Sequence, residues 1–322
     1  MRAGADPPWL SCATVGRGAD AAEVSRPGAQ GDVADAGMVA FVFEGGGSYG
    51  AAQVGMLNAL LDAGVTPDLV VGTSVGALNG ALLASRTDLR RSLDDMERMW
   101  RGIRRRDVLP LHPYRALSAV VGRGAGLVAN DGLGRIIDRW LPVTRLEDLA
   151  LPFAAVATDI VSGVPVVMRH GAARRALLAS SALPGVYPPV AVDGRELVDG
   201  GLVANFPVDV AAGLGATRIY ALPTAVSAPS RLSGPFALLQ RASDVLVERA
   251  SRRALDATGH AVTVHELPAP STERSMFDFG GSIELMQAGY DLTRSWLVGT
   301  ERVAPAVTHH RRAPVAARIA FG

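Results

Sequence analysis

The chain has 322 residues, enough for one large domain or two small ones with a sizeable core. Apolar residues make up 48% and aromatics only 5%, so the interior must be built mainly from Ala, Val and Leu. Thirty-two basic against 31 acidic residues give a formal net charge of +1, which argues against nucleic-acid binding through a broad positive field, and the single cysteine, Cys12, rules out an intramolecular disulfide or a cysteine metal cluster.

Residues 1–37 mix Ala, Gly, Asp, Pro and Arg without an apolar run long enough for a signal-peptide core, so they are expected to form a flexible tail on a cytoplasmic protein. Met38, directly before the first strand signal, is a candidate translational start. An ordered domain is expected over 38–300, where Met38–Phe43 reads as a continuous buried strand. A glycine-rich turn, a helix over Ala51–Ala63, a strand over Leu69–Val71, a second glycine turn and a helix over Ala77–Ala84 follow. Strands alternating with helices of this length predict an α/β fold with helices on both faces of the sheet. The longest apolar stretch, Leu69 to Ala84, is interrupted by Gly, Thr, Ser and Asn and is too short to span a bilayer, so no transmembrane helix is predicted.

Asp88–Arg101 reads as a solvent-exposed helix with Leu93, Met96 and Trp100 on one side. Residues 114–130 are small, apolar and punctuated by glycine. Strands are expected at Phe153–Thr158 and Val164–Met168, joined by a two-residue hairpin turn at Ser162-Gly163. A helix over Ala172–Ser180 leads into Ser181-Ala182-Leu183-Pro184-Gly185, and Pro188-Pro189 stiffens the next loop. Glu196-Leu197-Val198 should be a strand ending at Asp199-Gly200-Gly201, and Arg218–Leu222 another. An amphipathic helix over 235–258 offers Phe236, Leu239, Val245 and Leu246 against four arginines, a pattern that suits the core or a peripheral membrane contact. A strand at 262–267, a helix over Ile283–Leu297 and a basic tail over 301–322 complete the chain. The segment Met276-Phe277-Asp278-Phe279 is expected to cover the site.

The chemistry concentrates in the two glycine turns. Gly72-Thr73-Ser74-Val75-Gly76 has the G-x-S-x-G form of a nucleophile elbow, a sharp strand-to-helix turn that exposes the serine hydroxyl, with Gly72 and Gly76 removing side chains where the turn crowds. Glu44-Gly45-Gly46-Gly47-Ser48-Tyr49-Gly50 matches a dinucleotide fingerprint through Gly45, Gly47 and Gly50. That reading wants an acidic residue at the carboxyl end of the next strand, where the elbow serine stands instead. A phosphate-binding P-loop is excluded because no Lys-Ser or Lys-Thr follows the glycines. In a hydrolase the amides of Gly45, Gly46 and Gly47, joined by that of Val75, are candidate oxyanion donors.

A serine hydroxyl needs a base. Of six histidines, His260 or His265 could complete a Ser-Asp-His order with Ser74 and Asp199, while His112, His170, His309 and His310 show no catalytic context. The alternative is a carboxylate acting directly, and Asp199, followed by Gly200 and Gly201, is its best candidate.

The segments Gly45-Gly46-Gly47-Ser48-Tyr49-Gly50, Gly72-Thr73-Ser74-Val75-Gly76, Ala179-Ser180-Ser181-Ala182-Leu183-Pro184-Gly185 and Asp199-Gly200-Gly201, in this order, closely resemble the patatin-like phospholipases, over about Met38 to Leu297. The resemblance implies a three-layer α/β/α sandwich with a mostly parallel central sheet and hydrolysis of lipid acyl esters, of phospholipase A or lysophospholipase type, without metal or cofactor. It makes Ser74 the nucleophile, Asp199 its base in a Ser-Asp dyad and the glycine loop the oxyanion hole. Tyr49 departs from the pattern, since the family commonly carries Arg or Lys there. The rival expectations are a Ser-His-Asp carboxylesterase and a catalytically silent lipid-binding protein of the same fold.

Overall fold

A computed structural model describes residues 37–110, 126–227, 249 and 262–301. Almost all of the two expected tails, residues 114–125, the helix expected at 235–258 apart from Arg249, and His112, His260, His309 and His310 lie outside the described residues, as does Cys12.

The strands are β1 (Val39–Phe43), β2 (Leu69–Thr73), β3 (Phe153–Asp159), β4 (Pro165–Met168), β5 (Val190–Val192), β6 (Arg195–Asp199), β7 (Arg218–Leu222), β8 (Val226–Ser227), β9 (Thr263–Glu266) and β10 (Ser271–Thr272). The main sheet runs β5-β6-β3-β2-β1-β7-β9, with β4 also paired to β3. From β9 through β7, β1 and β2 to β3 every pairing is parallel, while β4 and β6 run antiparallel to β3. The expected parallel character therefore holds for the centre, and an antiparallel flank makes the sheet mixed. β8 and β10 form a separate parallel pair.

The period-2 alternation of β1 shows why a continuous apolar run suits a central strand. Phe41 and Phe43 face a core built with helices α1 (Ala51–Asp62), α2 (Val75–Ala84), α3 (Leu89–Gly102), α5 (Asp131–Trp140), α6 (Ala173–Ser180) and α9 (Ser282–Glu301). Ala40 and Val42 face the other side, where Val71, Val156 and Ile219 pack on Phe206 and on α8 (Val208–Gly213). Both faces of β1 are covered, so none of its positions calls for a polar outward residue. Two further single-turn helices, α4 (Arg105–Val108) and α7 (Gly201–Ala204), lie in the connections. Among the described residues no helix is long and apolar enough to cross a membrane.

Three local expectations need correction. The apolar side of α3 is buried, not solvated: Trp100 is 1% exposed and its Nε1 donates to Asn79 Oδ1 at 3.0 Å. The β3–β4 connection spans 160–164, because Asp159 Oδ1 accepts from the Val161 and Ser162 amides and opens a longer turn than Ser162-Gly163 alone would make. The loop after Pro188-Pro189 contains strand β5, and α5 carried no expectation at all.

Candidate active site

Topology places the site. β2 and β4 both pair with Ala155 and Val156, so they occupy opposite edges of β3. β4 and β6 both pair with Thr158, so they too lie on opposite edges, and β2 and β6 therefore share one edge. β2 climbs that edge to Thr73, opposite Val156, and β6 descends it to Asp199, opposite Ala157. The two strand ends meet head on, which brings Ser74 to Asp199 across 125 residues of chain.

Ser74 stands between β2 and α2 with φ 56° and ψ −126°, a sparsely populated conformation for a side-chain-bearing residue and the strained turn expected of an elbow. Its Oγ donates to Asp199 Oδ2 at 2.6 Å. Asp199 Oδ1 accepts from the Gly201 amide at 2.8 Å. The aspartate is 5% exposed, and burial raises its carboxyl from 3.8 to about 6, against the lowering effect of the bonds from Ser74 and Gly201.

Glycine lets the pieces approach. A Cβ on Gly76 would stand 2.5 Å from Phe43 O and 2.6 Å from Glu44 O, and one on Gly72 would stand 2.4 Å from Gly76 O. A Cβ on Gly50 would meet Val75 Cγ1 at 2.8 Å, and one on Gly200 would meet Val156 O at 2.3 Å. The two turns are thus packed against each other at the ends of neighbouring strands β1 and β2.

The amide inventory narrows the oxyanion expectation. Gly45 N–H is engaged, donating to Asn205 O at 3.1 Å, and Ser48 N–H donates to Met276 O at 2.8 Å. The amides of Gly46 and Gly47 make no hydrogen bond among the described residues. Val75 is the first residue of α2, so its amide has no acceptor one turn back. Gly47 has φ 58°, which favours glycine, and a Cβ there would meet Met276 O at 2.6 Å.

Several positioning groups carried no role in the sequence reading. The Ser180 hydroxyl accepts from Ser74 N–H at 2.9 Å and donates to Val156 O at 2.6 Å, pinning the elbow to β3. Asn205 Nδ2 donates to Glu44 Oε1 at 3.2 Å and to Gly45 O at 3.3 Å. Glu44 Oε2 accepts from Thr224 N–H at 2.9 Å, and burial pushes the Glu44 carboxyl up to about 7. Beneath the turns, Asn79 Nδ2 donates to Gly50 O and to Gln53 Oε1, each at 2.9 Å, and Gln53 Nε2 donates to Glu44 O at 2.8 Å. This buried network is satisfied and ties the glycine turn to the helix after the elbow. Ser180 lies inside the Ala179–Gly185 motif and Asn205 stands six residues after Asp199, but neither has a local signature that betrays a long-range partner.

Tyr49, the departure in the glycine turn, has a structural use: its Oη donates to Arg274 O at 2.6 Å. Ser48 Oγ donates to Ser275 O at 3.3 Å, and Met276 O takes the Ser48 amide, so the segment expected to cover the site lies on the glycine turn. Phe277 packs on the cluster of Leu109, Val128, Ala182, Val186 and Tyr187.

His265 stands on β9, separated from β2 by β7 and β1, or about 14 Å at the usual strand spacing. Its ring stacks on Tyr220 at 5.0 Å and meets Trp296 edge-on at 6.0 Å, and burial lowers its pKa. His170 follows β4 at the opposite end of the sheet.

A family model described as "Patatin-like phospholipase" matches residues 41–212. Patatin-like phospholipase domain-containing protein 7 of Rattus norvegicus is 37% identical over 194 residues, covering 57% of this chain and 13% of its own length. Lysophospholipase nte1 of Aspergillus terreus is 34% identical over 191 residues, covering 57% of this chain and 12% of its own length. The chain thus matches only about an eighth of these relatives. Among solved structures, VipD from Legionella pneumophila aligns with a TM-score of 0.43 at 14% identity, covering 81% of this chain and 66% of that one.

Proposed function

The chain belongs to the patatin-like phospholipase family, and from that premise we propose that it is a serine lipid acyl hydrolase of phospholipase A or lysophospholipase type, with Ser74 as nucleophile and Asp199 as its base. The observation that carries this reading is the 2.6 Å bond from Ser74 Oγ to Asp199 Oδ2, with no histidine between them. Ser74 Oγ attacks the ester carbonyl carbon as its proton passes to Asp199 Oδ2. The carbonyl oxygen becomes an oxyanion held by the amides of Gly46 and Gly47 and by that of Val75 at the positive end of α2. Collapse breaks the bond to the leaving alcohol, which takes the proton from Asp199. Water then attacks the acyl-enzyme, gives its proton to Asp199 and releases the fatty acid, and the proton returns to Ser74.

Burial supports the role of Asp199, because a carboxyl that titrates near 6 is a stronger base than one in water yet remains ionised at neutral pH. Neutral Tyr49 leaves the backbone donors untouched and braces the segment over them. The test is a panel of phospholipids, lysophospholipids and simple esters with product analysis. Release of free fatty acid by the wild type and not by Ser74→Ala is expected; release from none of these substrates would overturn the proposal.

A further inference from the structure

The β3–β4 turn inverts the usual chemistry of an exposed turn. Tips are ordinarily drawn from Gly, Pro, Asn, Asp and Ser. Here the tip reads Ile160-Val161-Ser162-Gly163-Val164, with Val161 84% exposed, Ile160 47% and Val164 42%. It is tightly bonded. Asp159 Oδ1 accepts from the Val161 amide at 3.0 Å and the Ser162 amide at 3.3 Å, and Gly163 N–H donates to Asp159 O at 2.8 Å. Asp159 N–H donates to Val164 O, and Ile160 N–H to Glu196 O, each at 3.0 Å. The backbone therefore holds three apolar side chains outward in one geometry.

Position gives the tip its meaning. Ala157 is paired with Asp199, and the turn begins three residues further along β3, so the tip projects beyond the Ser74–Asp199 pair at the same end of the sheet. Leu202, 39% exposed, adds another apolar side chain just past Asp199. Three small side chains fall far short of the roughly 800 Å² that each partner buries in a stable protein interface. They suit a lipid boundary, where each apolar group contributes by itself.

We propose that Ile160, Val161 and Val164 form a wedge that docks this end of the molecule on a lipid surface, an inference that rests on the acyl-hydrolase reading above. Besides Asp199, the charged groups of the β3–β4 and β5–β6 hairpins are Asp159, Asp193, Arg195 and Glu196, and Arg195 Nη1 stands 3.8 Å from Asp159 Oδ2. This acidic balance does not attract anionic headgroups, so the attachment is apolar. It persists on zwitterionic phosphatidylcholine and at high salt.

The test is co-sedimentation with phosphatidylcholine vesicles in the Ser74→Ala background, at low and high salt, for the wild-type tip, Val161→Asp and Val161→Trp. In parallel, the same tip variants with Ser74 intact are assayed on a water-soluble monomeric ester. The wedge predicts that Val161→Asp weakens vesicle partitioning about tenfold or more and that Val161→Trp strengthens it, with soluble-ester turnover unchanged. Unchanged partitioning, partitioning that requires anionic lipid, loss of a dimer with vesicle binding intact, or an equal loss of soluble-ester turnover would each overturn it. A wild type that cleaves no ester while its vesicle binding still follows residue 161 would sink the hydrolase reading and leave the wedge standing.

Discussion

The Ser74 hydroxyl reaches the Asp199 carboxylate at 2.6 Å because β2 and β6 run toward each other along one edge of β3 and both stop there. The pairing is a property of sheet register, so a slip of β6 by one residue would turn Asp199 to the opposite face. The Ser74–Asp199 contact is thus set by the sheet that carries both residues.

Activity should follow the ionisation of Asp199. Burial raises the carboxyl to about 6, and with Asp199 as the proposed base only its ionised form would accept the serine proton, so kcat/KM on a soluble ester should fall about tenfold per pH unit below that value. A pH–rate profile that stays flat through about pH 5 would exclude Asp199 as the base.

The same shift makes a stability prediction of unusual sign for an aspartate. The folded-state value of about 6 lies above the ordinary 3.8, so the folded protein binds this proton more tightly than the unfolded chain. The contribution is fully present below the unfolded value and is lost as pH rises through about 6. Asp199→Asn removes the buried charge and keeps an oxygen for the Gly201 amide. It should therefore be more stable than wild type above pH 6, by up to about 3 kcal/mol, and lose that advantage by about pH 4. Thermal melts of both proteins across this range measure it.

Ser180 holds the elbow from behind. Ser180→Ala leaves the Ser74 amide without its partner, at a cost of about 1–3 kcal/mol in stability. Because the hydroxyl positions Ser74, the proposed nucleophile, through its amide and not through its Oγ, kcat should fall more than KM rises. Steady-state kinetics on a soluble ester, beside a urea melt, separate the two effects.

Among the described residues, His265 separates the proposed dyad from a triad. Its ring is packed between Tyr220 and Trp296 at the far edge of the sheet. His265→Ala should lower stability by about 1–3 kcal/mol through lost packing and leave kcat/KM within a few-fold. A loss of several orders of magnitude in kcat/KM with the melting temperature preserved would contradict the direct Ser-Asp arrangement.

Much of this was legible in sequence for physical reasons. Val39–Phe43 and Leu69–Thr73 are buried on both faces, so they read as unbroken apolar runs, and glycine marked the two turns because backbone atoms approach there within contact distance. Ser74 and Asp199 could each be picked as candidates, but their head-on meeting depends on the register of β6 against β3, which no local pattern encodes. The same holds for Ser180, Asn205 and Glu44, whose partners lie 24 to 180 residues away. The engagement of the Gly45 amide by Asn205 O likewise leaves two of the three candidate glycine amides for the proposed oxyanion role. Tyr49 changed meaning most: a missing cation by composition, it is a hydrogen-bonded brace on Arg274 O in three dimensions.

The most direct measurement is reaction of the purified protein with an alkyl fluorophosphonate, followed by peptide mapping of the adduct and its rate of formation in wild type, Ser74→Ala and Asp199→Asn. The dyad predicts one adduct on Ser74, none in Ser74→Ala, and labelling slowed by about a hundredfold or more in Asp199→Asn. An adduct on another residue, or labelling of Asp199→Asn at the wild-type rate, would contradict it.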